Sequence, residues 1–463
     1  MKGIVIAATQ SGSGKTTITL GLMAALQRKG IKVAPFKIGP DFIDPGHHAS
    51  ITKGISRNLD GWMLSESYNL SCFADGVKDA DFAIVEGVMG LFDGYDGKTE
   101  AGSTAQMAKW LGLPVLLIVN ARSMARSVAA IVQGFENFDR DLNFAGVIFN
   151  NVGSERHLDY LQEAIQGTVK TPFWGGIPRN IDICMPERHL GLVTRDEFVL
   201  PSQTINQLAD IIETNIDLET HIQHLPDFNV QSTERLRKVK AENRVRIAVA
   251  RDKAFCFYYP DNFDWLIHFG AELVFFSPIS DQKLPADTGG IYFGGGYPEI
   301  FAKQLSYNES LLHAIKEKST NNMPIYGECG GFMYLCQTLK PYDQEENFIM
   351  TNCFPFHTRM TQKLNALGYR EIHLTQDTVI GKKGMTARGH EFHYSTLEHP
   401  IDEKIQRSYQ VEGRKKMAAY QEGYQVNQTL GSYIHLHFGS LPELAENFVN
   451  NCFDYIRRSH ATQ

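Results

Sequence analysis

Short, nearly unbroken apolar runs alternate along the chain with stretches of helical period. Residues 3–8, 82–86, 115–120 and 146–151 are such runs, with glycine or polar residues at or just beyond their ends. Runs of this length read as strands buried on both faces, and residues 18–28, with apolar positions three to four apart, read as a helix. A shorter run at 32–36 adds a strand. The repeat of strand, loop and helix predicts a doubly wound parallel sheet over about the first 200 residues. From 217 to 242 the chain turns polar and charged, then a new buried strand starts at 245–250. Restarting with a buried strand predicts a second α/β domain. The expected division is a domain at 1–220, a linker at 221–243 and a domain at 244–463.

Composition narrows the partners more than the fold. A chain of 463 residues is too long for one ordinary core. The net charge of -7, without a concentrated basic block, argues against nucleic acid as a partner. Seven cysteines without paired short spacing argue against a disulfide framework or a zinc ribbon, so a reducing cytoplasm is the expected location. No apolar run approaches the ~20 residues that span a bilayer, and no signal peptide is expected.

The first strand runs into Thr9-Gln-Ser-Gly12-Ser13-Gly14-Lys15-Thr16-Thr17 and then a helix. Strand, glycine-rich loop and helix are the context of a phosphate-binding loop. Gly12 and Gly14 let successive N–H groups point at an anion, and the helix N-terminus adds positive partial charge. Lys15 is expected on the β and γ phosphates of ATP, and the Thr16 hydroxyl on Mg²⁺. Thr9 stands where the common pattern has its first glycine. Lys37 closes the second strand, and Asp41 and Asp44 follow in a proline- and glycine-rich loop. Ligands of open α/β sheets bind beyond the carboxyl ends of strands. Asp41 and, at another strand end, Glu86 are therefore expected near the metal. Asn150, in an Asn pair that ends a further strand, is a candidate for a purine edge.

In the second half, a strand at 289–293 opens into Gly294-Gly295-Gly296-Tyr-Pro-Glu299. A strand at 324–327 leads through Glu328 to Cys329, flanked by Gly327, Gly330 and Gly331, and then to a helix. This reads as a nucleophile elbow carrying cysteine. The N–H groups of Gly330 and Gly295 are the candidate oxyanion donors. His435 is the candidate base for the thiol. The bland alternative for any cysteine is a small buried hydrophobe, and Cys72, Cys184, Cys336, Cys353 and Cys452 are read that way.

Taken together, these stretches resemble one family over essentially the whole chain. They are the atypical phosphate loop, Lys-Ile-Gly-Pro-Asp-Phe-Ile-Asp-Pro, Glu-Gly-Val-Met-Gly-Leu-Phe-Asp-Gly, Phe-Gly-Gly-Gly-Tyr-Pro-Glu, Tyr-Gly-Glu-Cys-Gly-Gly and Ser-Tyr-Ile-His-Leu-His-Phe, in that order. The chain resembles the cobyrinate a,c-diamide synthase family. The resemblance implies a P-loop domain like that of dethiobiotin synthetase, in which Thr9 is at home. It also implies a flavodoxin-like class I glutamine amidotransferase domain. ATP, Mg²⁺, L-glutamine and a tetrapyrrole are the implied ligands, with Asp44 positioning substrate or ammonia. The resemblance further implies that the carboxylate passes through an acyl phosphate, and a closed path for ammonia is expected at a domain interface, which residues 388–395 either line or, in the alternative, leave as a polar surface loop. A homodimer is the assembly expected. Related amidotransferases carry Glu two residues after the catalytic His. Here that place is His437, which implies a Cys-His dyad and leaves open what orients His435. The rival readings are amidation of hydrogenobyrinate or Ni-sirohydrochlorin, a cobyric acid synthase, and, from another class, a ParA-like ATP switch.

Overall fold

The computed structural model describes residues 1–179, 187–188, 191–192, 200–229, 244–398, 405–412 and 418–461. Cys184, residues 186, 189 and 190 of a polar stretch at 186–192, and the basic end of the 217–242 connector lie outside the described residues. The chain divides into two compact units, Met1–Arg235 and Leu236–Gln463.

The first unit is built on a seven-stranded sheet. Its strands are β1 (Lys2–Ala8), β2 (Val33–Ile38), β3 (Arg57–Leu59), β4 (Phe82–Glu86), β5 (Val115–Asn120), β6 (Phe144–Val152) and β7 (Phe173–Pro178), in the order β3-β2-β4-β1-β5-β6-β7. Every pairing is parallel. Alternate side chains of β1 enter opposite cores. Ile4 and Ile6 pack with Ile18 and Leu22 of helix α1 (Lys15–Arg28) and with Ile212 of helix Ser202–Asn215. Val5 and Ala7 pack with Phe36, Phe73 and Met107. Burial on both faces is why these strands read as continuous apolar runs. The unit also reaches beyond 220. Asp217 caps helix Leu218–Gln223, and the Phe228 N–H donates to the Met1 carbonyl at 2.9 Å. The boundary expected at 220 is therefore too early.

The second unit contains a ten-stranded sheet. Strands Ala271–Phe276, Val245–Ala250, Thr288–Phe293, Ile325–Glu328 and Thr429–Ser432 form a parallel half. Tyr420–Val426, Gln406–Glu412, Ala366–Leu374, Thr386–His393 and Ile434–Leu436 continue it as an antiparallel half. Ser432 and Ile434 are separated by one residue yet lie in strands with four others between them, so this half curls back on itself. The run at 388–395 is mostly strand, not a surface loop. Within it Arg388 is exposed, while Glu391 is buried and paired with Arg370 at 2.7 Å. Among the described residues no helix is long and apolar enough to cross a membrane.

Candidate functional site

Glycine 14 precedes α1 with φ 91°, and no side chain caps the helix. The first-turn N–H groups thus face the loop as an anion site would require. Gly12 is also left-handed, with φ 74°. The loop is braced from β6, where Asn150 Nδ2 donates to the Ser13 carbonyl at 2.9 Å. A Cβ on Gly14 would lie 2.2 Å from that nitrogen. Beside the loop is a cavity of about 230 Å³, lined by Gly12, Gly14, Thr17, Asn150, Asn151, Pro178 and the apolar face Leu208, Ile211 and Ile212.

The carboxyl ends of β2 and β4 bring a charged cluster to the same loop. Lys37 Nζ lies 2.6 Å from Asp44 Oδ2 and 3.0 Å from Glu86 Oε1. Thr16 Oγ1 donates to Glu86 Oε1 at 2.8 Å and to Asp44 Oδ2 at 3.2 Å. Asp44 opens helix α2 (Asp44–Thr52), where Pro45 suits the first turn. One turn on, His48 Nε2 meets Glu86 Oε2 at 2.7 Å, and its Nδ1 meets Ser56 Oγ at 3.0 Å. Lys15 donates to the carbonyl of Met89, just beyond β4.

The two aspartates differ in placement from what is expected of them, Asp44 rather than Asp41 lying against Thr16. Asp44 is buried against Thr16 and Glu86, whereas Asp41 Oδ2 stands 3.8 Å from Lys37. Asp41 Oδ1 instead accepts the backbone N–H groups of Ile43 and Asp44, so it caps the turn into α2. His48 carries no sequence signal except its position one helical turn after Asp44.

Burial sets the electrostatics here. It lowers the Lys15 ammonium to about 8, an effect that the charge of Lys37 reinforces. It also opposes the charge on Lys37, but Asp44, Glu86 and Asp41 prevail and hold that ammonium well above the usual lysine range. Burial works against Glu86 too, yet Lys37 and His48 hold its carboxyl well below the usual range. Asp44 goes the other way: burial and the Asp41 charge push it up despite Lys37.

In the second unit, Cys329 joins strand Ile325–Glu328 to helix Gly330–Leu335 with φ 47° and ψ -105°. A non-glycine residue rarely holds this backbone, and strain of this kind marks a nucleophile elbow. The glycines around it permit close packing. A Cβ on Gly331 would lie 2.5 Å from the Phe293 carbonyl, and one on Gly330 would lie 2.9 Å from Pro298 Cδ. The thiol faces the Phe392 carbonyl at 3.9 Å. His435 is buried and stacks on its cross-strand partner His390 at 4.9 Å between ring centroids. Its ring lies directly on Gly295, where a Cβ would meet Cε1 at 2.3 Å.

The Gly295 N–H itself donates to the Phe257 carbonyl at 3.3 Å, so the expected oxyanion donor is already engaged. The backbone nitrogen of Gly296 instead lies 3.0 Å from the Cβ position of Gly330. Burial pushes the Cys329 thiol up, helped by the Glu299 charge, and lowers His435 to about 3, with His393 adding to the effect. His437 Nδ1 accepts the Gly439 N–H at 3.1 Å, and its ring packs on Tyr259 at 4.5 Å. Cys72, Cys336, Cys353 and Cys452 are buried and form no disulfide among the described residues, as expected of packing residues.

A phosphate loop with a buried Lys, Asp and Glu cluster in one unit, and a cysteine elbow and a buried histidine in the other, fit an ATP-dependent ligase with its own glutamine amidotransferase. Family profiles agree. A "CobQ/CobB/MinD/ParA nucleotide binding domain" matches residues 4–193, and a "CobB/CobQ-like glutamine amidotransferase domain" matches residues 246–442. The chain is 45% identical to a cobyrinate a,c-diamide synthase of Syntrophotalea carbinolica, over 97% of this chain and 98% of that one. It is 43% identical to one from Leptospira interrogans serovar copenhageni, over 97% and 98%. Against one from Dehalococcoides mccartyi strain CBDB1 it is 42% identical, over 98% of each. The chain belongs to the cobyrinate a,c-diamide synthase family, whose members are glutamine-hydrolysing carbon–nitrogen ligases.

Proposed function

We propose that the enzyme amidates the a and c acetate carboxylates of cobyrinate in turn, within cobalamin biosynthesis, by way of an acyl phosphate. The observation that carries this reading is the convergence of Lys15, Thr16, Lys37, Asp44 and Glu86 beside the loop, in a chain aligned end to end with relatives of that name. A carboxylate resists ammonia because its oxygen leaves poorly. Bonding that oxygen to the γ-phosphorus of ATP, with departure of ADP, turns it into a phosphate. Ammonia then adds to the acyl carbon, and inorganic phosphate leaves. Lys15 and Lys37 supply positive charge to the phosphoryl oxygens. Thr16, Asp44 and Glu86 present the hard oxygen donors that fit Mg²⁺, which when bound would neutralise phosphate charge. Asp41, at the rim, is left to face substrate. The cavity and Asn150 hold the adenine.

In the second unit the Cys329 sulfur bonds to the side-chain carbonyl carbon of glutamine. His435, neutral because it is buried, takes the thiol proton and passes it to the departing ammonia. Water then cleaves the thioester to glutamate. The N–H groups of Gly330 and Gly296 receive the oxyanion. A cytoplasmic homodimer completes the reading, and buried free thiols suit a reducing compartment.

The deciding experiment is mass spectrometry of products from purified protein given ATP, Mg²⁺ and glutamine with cobyrinate, hydrogenobyrinate or Ni-sirohydrochlorin. Two successive acid-to-amide conversions of cobyrinate are expected. Conversion of another tetrapyrrole alone would reassign the substrate, and no conversion of any would reject the proposal.

A further inference from the structure

Three donors fix the carboxylate of Glu328, the residue just before the nucleophile. Its Oε1 accepts the Tyr326 hydroxyl at 2.7 Å and the Leu436 N–H at 3.1 Å. Its Oε2 accepts the Tyr292 hydroxyl at 3.0 Å. The same Oε2 faces His435 Nδ1 at 3.8 Å, with both side chains 2% exposed. Because Leu436 follows His435, one carboxylate both grips the strand that carries the imidazole and faces the ring. Buried carboxylates without partners are costly, so a site that holds one this firmly has fixed its direction.

The neighbouring groups are otherwise committed. Tyr258 and Tyr409 surround Glu328. His390 lies on the face of the His435 ring, and its Nδ1 meets the Tyr259 hydroxyl at 2.9 Å. Glu391, which acts on His435 from the adjacent strand, is engaged by Arg370, Tyr420 and His393. Glu422 accepts Ser432 Oγ and the Tyr433 N–H. Glu328 stands within ion-pair distance of His435.

We propose that Glu328 is the positioning residue for His435, supplying the orienting carboxylate that position 437 lacks. This rests on the reading of Cys329 and His435 as the glutaminase pair. With Nδ1–H turned to Glu328, Nε2 is left to take the thiol proton, and the carboxylate stabilises the imidazolium that forms. At 3.8 Å the two groups are within ion-pair range and short of a hydrogen bond; bonds of this kind tighten when substrate binds.

The test uses the full chain with Cys329→Ser, Glu328→Gln and Tyr292→Phe. It reads glutamate release from glutamine and the pH dependence of Cys329 alkylation by iodoacetamide. In Glu328→Gln, kcat should fall about 10²-fold with little change in KM, and alkylation should move to more alkaline pH. A purely structural Glu328 would raise KM or lower Tm without moving the alkylation profile. A kcat within about twofold of wild type, with an unmoved profile, would overturn the proposal. If Glu328→Gln does not fold, Tyr292→Phe decides, because it removes a donor from the oxygen that faces His435. A severalfold loss of kcat with the same alkaline shift is expected, and no change overturns the proposal. Glutaminase activity surviving in Cys329→Ser would instead reject the reading of the pair itself.

Discussion

Lys37 Nζ lies 3.0 Å from Glu86 Oε1, and water barely reaches either side chain. Removing one partner of such a pair strands a buried charge and costs about 3–5 kcal/mol. Lys37→Met should therefore lose stability of that order in urea unfolding, and ammonia-dependent amidation should fall to background. A stability change under about 1 kcal/mol would contradict the pairing.

The two carboxylates around Lys37 should respond to pH with opposite signs. Glu86 has a folded pKa below its ordinary value, so its charge contributes stability above that value and loses it as pH falls towards the folded one. Asp44 has a folded pKa above its ordinary value, so its charge costs stability at neutral pH. Glu86→Gln should lower Tm at neutral pH, with the difference shrinking below about pH 4. Asp44→Asn should leave Tm equal or higher at neutral pH while abolishing ATP-dependent amidation. Thermal melts across pH check both, and equal destabilisation by the two would refute the assignment.

What the sequence disclosed, and what it hid, follows from how local each feature is. Gly12 to Thr17, Lys37, Glu86 and Cys329 were legible because each sits where an apolar run ends, and strand ends converge in this fold. The choice between Asp41 and Asp44 was not legible. Both lie in one turn, and Asp41 is drawn away by two backbone N–H groups of that same turn. His48 reaches Glu86 only through the placement of α2, which packs on α1 and β2. The antiparallel half of the second sheet was hidden because its strands bury polar residues that pair with one another, as Arg370 does with Glu391. Gly295 is legible as a special position, but the isolated bridge to Phe257 that engages its N–H depends on a segment distant in sequence. Its need for a missing side chain comes from the His435 ring.

That last contact yields its own prediction. A methyl group at 295 would stand 2.3 Å from His435 Cε1, far inside van der Waals contact. The buried ring has little room to retreat, with His390 stacked on it. Gly295→Ala should cut glutamine-dependent amidation at least about tenfold, since small misplacements of a catalytic base are costly. Ammonia-dependent amidation should persist. Equal loss with both nitrogen sources would show a folding defect instead.

Lys15 predicts a proton coupled to nucleotide binding. Burial, with the charge of Lys37, lowers its ammonium to about 8. Only the protonated form attracts phosphate, and phosphate charge in turn favours that form. The protonated fraction of free enzyme falls as pH rises past about 8, so ATP affinity should fall there too. Each binding event should then take up a fraction of a proton. Titration calorimetry at about pH 8.5, in two buffers of different ionisation enthalpy, measures that uptake. Lys15→Arg removes the titration, because a guanidinium stays charged throughout this range. Its residual ATP binding should show neither proton uptake nor the alkaline decline. Buffer-independent binding enthalpies in the unmodified protein would place the Lys15 proton outside the binding step.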